Sequence, residues 1–459
     1  MRPAPSSARG NRRRAVRRGL LALASLLACG SPQPESPQPD PPAQPIAHAP
    51  FSEPWLLAQA ERYLGDDSSH RRRALERSLR NPDNIYSRTR LGAYARADLG
   101  WDLLPEWTPR VRAVDRQLAA DLVAGKQLEL PDAAPLWDGA RPTTLAQWQE
   151  LGRRVFFSYP LRPEVFAEHA LAHPEVARAV GLRAAPDGSV PGTVAFIDID
   201  GRARVGITCA LCHVAIEGDR VVVGRARRDF DYGGMRVAYH RDTGAPIDAR
   251  LAERMAAWGP GRADITEDDD EDPVAIVDLW DIQSLDALTQ AGTLRHAELG
   301  EDAPLALAIR QETQILHANR ERTRPPRALA WALAMYVYSL KPPPPTPSAD
   351  PAVARGDAIF RRDCTACHDG PTFSGAPIPA EDIGTDPALA RGTSRGTGVY
   401  RPAPLLRVGD AAPYLHHGVV ASLEQMFDPA RLASIPGHVP GTDLAASERA
   451  DLIAYLRTL

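Results

Sequence analysis

Four of the five cysteines fall into two copies of one pentapeptide, CALCH (Cys209 to His213) and CTACH (Cys364 to His368). Two thiols three residues apart, with a histidine directly after the second, are equipped for three kinds of chemistry. They could bind zinc as a pair of CxxC half-sites. They could run dithiol exchange, although neither motif reads as following a strand of a βαβ unit. They could attach c-type haem, with Cys209, Cys212, Cys364 and Cys367 as thioether links and His213 and His368 turned to the irons. The immediate histidine in both copies favours two covalent haem c groups, and zinc stays as the alternative.

The fifth cysteine, Cys29, stands apart at the end of an export-like segment. RGNRRRAVRR is a basic n-region and GLLALASLLA (Gly19 to Ala28) an apolar h-region. At roughly ten residues that run is too short to span a bilayer, which takes about 20. Leu26-Leu27-Ala28-Cys29 resembles a bacterial lipobox, so residues 1–28 read as a lipoprotein signal peptide and Cys29 as the lipidated N-terminus. Eight prolines in residues 29–50 make that stretch an extended spacer. This reading places the chain in the periplasm, tethered through Cys29 to a bacterial membrane, the outer one, by lipid alone. Removing the seven arginines of residues 1–28 takes the formal charge from −4 to −11. Such an acidic chain is ill suited to neutralising phosphates, which excludes sequence-independent nucleic-acid binding.

The elements that must position the motifs repeat in order. Gly152-Arg-Arg-Val-Phe156 precedes the first motif and Gly356-Asp-Ala-Ile-Phe360 the second, each placing glycine and phenylalanine on one helical face. ALAMYVYSL (Ala332 to Leu340) and DLIAYLRTL (Asp451 to Leu459) close the two halves, aligning Leu333 with Leu452, Tyr336 with Tyr455 and Leu340 with Leu459. Glycine on one helix lets a second helix carrying an aromatic cross closely. The predicted fold is mainly α: two c-type cytochrome domains, each around one covalent haem, at 146–340 and 351–459. A Pro-rich linker, 341–350, joins them, and a helical N-terminal region, 51–145, precedes them. That region carries helical periodicity in WLLAQAERYL and VRAVDRQLAADL. The halves differ by an insertion: Phe360 lies four residues before Cys364, but Phe156 lies 53 before Cys209. Within the insertion, TVAFIDIDGRARVGIT alternates apolar and polar residues about Asp-Gly and reads as a β-hairpin.

LGRRVFFSYPL, GDAIFRRDCTACHDG and GVYRPAPLLRVGDAAPYLHHGVVASLEQMFDP together resemble the bacterial di-haem cytochrome c peroxidase superfamily. That superfamily includes the maturation di-haem oxygenases and the rubber oxygenases, and APYLHHG (Ala412 to Gly418) is most similar to the last. The resemblance implies an electron-transfer haem facing a reactive one. It implies His416 as sixth ligand of the second haem, with His417, His438 and Tyr400 in reserve and Met426 read as core. It also implies Trp280 as an electron relay and Glu298 or Glu301 as an acid/base for O–O cleavage.

The first motif has no histidine close behind it. Met235 and His240 lie 22 and 27 residues on, so the iron is either open or closed from farther away, by His296 or His317. Relatives also hold calcium between their domains. The run EDDDED, Glu267 to Asp272, reads instead as a solvated loop, lacking spaced ligands and a glycine, and calcium is retained only as a minor alternative.

The function expected is a peroxidase-like oxidoreductase. It would receive electrons at the C-terminal haem, from a small redox protein or a quinol-chain donor, and reduce hydrogen peroxide or activate oxygen at the N-terminal one. A non-catalytic di-haem electron carrier and a haem-based sensor or structural subunit are the alternatives.

Overall fold

A computed structural model describes residues 49–65, 68–94, 100–264, 266, 272–345 and 347–459. The export segment, Cys29, most of the Pro-rich spacer and residues 267–271 of the acidic run lie outside the described residues.

Two helix pairs organise the described residues. The helix Leu145–Ser158 starts at a capping box, in which Thr144 Oγ1 accepts from the Gln147 amide and Gln147 Oε1 accepts from the Thr144 amide, both at 3.3 Å. It crosses the helix Arg327–Ser339 at Gly152, where an added Cβ would lie 1.9 Å from Ala332 O and 2.6 Å from Tyr336 Cβ. The helix Pro351–Asp363, capped by Asp350 accepting from the Ala352 amide, crosses Ala446–Leu456 in the same way. There a Cβ on Gly356 would lie 2.1 Å from Asp451 O and 2.7 Å from Tyr455 Cβ. The aromatics match as well: Phe156 packs on Tyr336 and Phe360 on Tyr455, with centroids 5.4 Å apart in both pairs.

The N-terminal region is mixed rather than purely helical. WLLAQAERYL lies within the helix Glu53–Leu64, but VRAVDRQLAADL divides. Its first residues form the strand Arg110–Ala113, and a helix, Arg116–Val123, begins only where the Asp115 carboxylate accepts from the Leu118 amide. The strand pairs antiparallel with Thr193–Ile197, which pairs in turn with Ala203–Ile207 through a turn at Asp200-Gly201. The insertion's two strands are therefore the centre of a five-stranded sheet to which the N-terminal region contributes an edge. Trp55 and Tyr63 of the first helix bury themselves near Trp331, with Tyr63 and Trp331 centroids 5.8 Å apart. A fully buried large aromatic is worth about 4–6 kcal/mol before the entropy of ordering it. Among the described residues no helix is long and apolar enough to cross a membrane.

The two halves are stitched together through backbone carbonyls. Ile85 and Tyr86 amides donate to Thr393 and Ser394 carbonyls, the Ala275 amide donates to His416 O, and Arg225 and Arg228 donate to the carbonyls of Asp410 and Ala411. The segments flanking the first motif thus pack directly on loops that follow the second.

Candidate haem sites

CTACH opens where its helix ends. Cys364 is the C-cap of Pro351–Asp363, and the amides of Cys367 and His368 both turn back to its carbonyl, at 3.2 and 2.9 Å. This tight turn brings both sulfurs and the imidazole to one cavity of about 440 Å³, whose wall includes Phe360, Leu405, His416, Met426 and His438. The His368 Nδ1 lies 2.9 Å from the Phe373 carbonyl. A carbonyl can only accept, so Nδ1 carries the proton and Nε2 keeps its lone pair.

Across the cavity, His438 has its ring centroid 6.2 Å from that of His368. Two imidazoles binding one metal from opposite sides, at about 2.0–2.1 Å each, have centroids about 6 Å apart. The loop carrying His438 is unusually constrained. His438 itself has φ 49°, and Gly437 has φ 90°, with an added Cβ falling 2.4 Å from the Thr385 nitrogen. Arg431, only 4% exposed, donates Nε to Met426 O, Nη1 to Ile435 O and Gly437 O, and Nη2 to His438 O, at 2.7–3.1 Å. One buried guanidinium therefore serves four carbonyls around a single histidine, whose own Nδ1 is buried without a partner.

His416 sits elsewhere on the wall, stacked on Tyr400 at 4.2 Å, with His417 at 4.3 Å. The Tyr400 hydroxyl is occupied, donating to Asp386 O at 2.6 Å and accepting from the Ala390 amide. Met426 is buried in the core cluster of this half while also bordering the cavity.

CALCH follows directly from the strand Ala203–Ile207, with Cys209 capping a short helix, Ala210–His213. Gly192, at φ 93°, comes so close that a Cβ would lie 2.1 Å from Leu211 Cα, so the insertion packs onto the motif itself. The His213 Nδ1 lies 3.0 Å from Val277 O, repeating the arrangement of His368. Three residues on, Trp280 is 2% exposed, donates Nε1 to Val223 O at 3.0 Å, and forms part of the wall around His368. The segment 277–280 therefore touches the first motif at one end and the second motif's cavity at the other. Asp278 braces it, binding Arg228 at 2.9 and 3.0 Å and the Ala226 amide at 2.7 Å.

Residues 353–459 match the cytochrome c family model. No curated protein matches the chain. Among solved structures, it is similar to a MauG-like protein associated with microbial copper homeostasis, at 20% identity and TM-score 0.24, over 29% of this chain and 56% of that one. It is also similar to hydrazine synthase of Kuenenia stuttgartiensis, at 16% identity and TM-score 0.31, over 45% of this chain and 79% of that one. The chain thus spans about half the length of the MauG-like protein it matches.

The cytochrome c family implies covalent haem c, and the CTACH residues fit it: two thiols, an imidazole with a free lone pair, and an apolar cavity with an unpartnered histidine opposite. Among the described residues no group of three or more His, Cys, Asp or Glu side chains is arranged to hold a metal ion directly. Burial pushes His213 and His438 down to about 4 and His416 to about 3, and it lowers His368, so these rings are neutral ligand-type imidazoles. The same burial raises the Cys209 thiol to about 12 and those of Cys212 and Cys364 to about 11.

Other predicted residues have separate places. Glu298 is at the surface, paired with Arg80 at 3.2 Å and Arg295 at 3.4 Å, and Glu301 is exposed on the same turn. Neither borders the cavity. His296 is buried with Nε2 3.1 Å from the Tyr338 hydroxyl, and His317 pairs with Glu321. Met235 is core, and His240 has Nδ1 on Ala245 O. Sequence reasoning missed Arg401 and Arg431 altogether. For His438 the available signal was the glycine directly before it.

Proposed function

We propose that the chain is an exported di-haem c-type cytochrome that accepts electrons at the CTACH haem and passes them to the CALCH haem, where hydrogen peroxide or dioxygen is reduced. The observation that carries this reading is the 277–280 segment, whose Val277 carbonyl orients His213 while its Trp280 walls the cavity around His368. A haem held at each motif would supply one-electron exchange and a place for the oxidant to bind.

The chain's own residues set the asymmetry. Phe373 O and Val277 O each accept an Nδ1 proton, which fixes the tautomer and aims Nε2 of both histidines. With His368, His438, held by Arg431, would be the second histidine to hold a haem at this site, rather than His416, whose ring is stacked on Tyr400. Trp280 is pinned by Val223 O, so a conjugated ring is held between the segment that meets His213 and the cavity around His368. Reducing one peroxide to two waters takes two electrons and two protons. The electrons come from a small redox donor, and the protons come from solvent at the half-buried first motif. Glu298 and Glu301 are not retained as acid/base groups because both face solvent. That exposure is also the one observation favouring the second reading, a di-haem carrier.

Location follows the sequence: periplasmic, tethered by lipid at Cys29. The function is tested by mixing half-reduced holoprotein with peroxide in a stopped-flow spectrometer. Reoxidation of the low-spin haem is expected, slowed severalfold by Trp280→Leu with unchanged resting spectra. No reoxidation in the unmodified protein would leave the carrier, and an unslowed Trp280→Leu would remove the relay.

A further inference from the structure

Two guanidinium groups border the cavity around His368. Arg228 is matched by Asp278. Arg401 is not matched. Among the described residues its guanidinium forms no ion pair, and it has one acceptor, Ala287 O, at a long 3.4 Å. Its Nε is buried with no acceptor at all. Its main chain is fixed, since its amide donates to Gln290 O at 2.9 Å and Pro402, which follows directly, disfavours the helical region at this residue. Burial alone pushes this group down to about 10. The residue is half-buried with its Nε wholly inside, and a cation drawn this far from water without a counter-charge is costly enough that folded proteins pair it or give it a ligand.

We propose that Arg401 receives a carboxylate brought into the cavity by its occupant, a propionate of the haem attached at Cys364 and Cys367. A guanidinium presents a planar fork of donors that matches a carboxylate, and charge-assisted bonds of this kind are about twice as strong as neutral ones. Arg401 shares its wall with Trp280 and Gln290, on the side that meets the first half. It would therefore both anchor the haem and set the charge beside the electron path. The inference rests on a haem at CTACH but not on the reaction proposed at CALCH. A colourless protein would defeat the haem assignment, whereas a coloured one with an unmoved potential would defeat only this inference.

The test is spectroelectrochemical titration of the holoprotein and its variants. Removing the cation leaves the propionate charge uncompensated, which favours the oxidised haem. Arg401→Gln is expected to lower the midpoint of the low-spin haem by about a tenfold change in the oxidised-to-reduced ratio, 59 mV for one electron. Arg401→Lys is expected to give a smaller fall in the same direction, because an ammonium keeps the charge and loses the fork. The other haem should not move. If Arg401→Gln fails to retain haem at CTACH, the lysine variant alone decides. An unmoved midpoint in the variants that hold haem overturns the proposal. So does a midpoint of the unmodified protein that shifts with added phosphate or acetate, since Arg401 would then be serving anions from solution.

Discussion

His368 and His213 each spend one ring nitrogen on a backbone carbonyl, and that single bond decides which nitrogen is left for a metal. Opposite His368, the histidine held in place is His438. His438→Ala should therefore turn one low-spin haem high-spin and cyanide-reactive, while His416→Ala should leave the resting optical spectrum unchanged. The reverse pattern would restore His416 as the ligand. A different residue governs acid–base behaviour away from the haems. Glu312 is 0% exposed, its Oε2 accepts from Tyr63 at 2.9 Å, and burial raises its pKa. The folded state therefore holds a proton that the unfolded chain has released. The stability tied to that proton is present below the usual carboxylate range and lost as pH rises through the folded pKa. Glu312→Gln keeps the acceptor and removes the titration. Denaturant melts should show the variant gaining on the unmodified protein as pH rises, by at most about 1.4 kcal/mol per pH unit, with the gain absent at acid pH. A constant difference at all pH values would show that Glu312 does not titrate in this way.

At the scale of elements, the two helix crossings rest on glycines that have no room for a methyl. Gly152→Ala and Gly356→Ala should each cost about 1–3 kcal/mol in thermal or denaturant melts, the range of overpacked cores. Gly92→Ala, where an added Cβ meets nothing within 4 Å, should be neutral or mildly stabilising. Equal effects at all three would mean that the crossings are not close. These crossings were legible in the sequence because the repeated G-x-x-x-F and the matched Tyr336 and Tyr455 encode local, periodic faces. The strand Arg110–Ala113 was not, because VRAVDRQLAADL satisfies a helical period and its strand state is set by Thr193–Ile197, some 80 residues away. The choice of His438 over His416 was hidden for a related reason. Both follow His368 at a distance that lets the chain wrap a haem, and what separates them is a turn gripped by Arg431 and docked on residues some 50 positions upstream, where the His438 amide donates to Ile383 O and Gly437 meets Thr385. Arg431→Met should loosen that grip and yield a mixed-spin second haem with the first unaffected. An unaltered spectrum would mean that the loop holds His438 without it.

At the scale of the whole molecule, the N-terminal region and the insertion share one sheet, and loops after each motif bind the other half through backbone carbonyls. This architecture keeps the 277–280 segment against both motifs, so two unequal irons linked through Trp280 are the core of the functional reading. One measurement bears on that most directly: the optical and electron paramagnetic resonance spectra of purified holoprotein, oxidised and half-reduced, with and without cyanide. Two covalent haems per chain are expected. One should be low-spin, reduced first and indifferent to cyanide, and the other should be oxidised at half-reduction and shifted by cyanide. Two low-spin haems that both ignore cyanide, or a protein carrying a single haem, would contradict it.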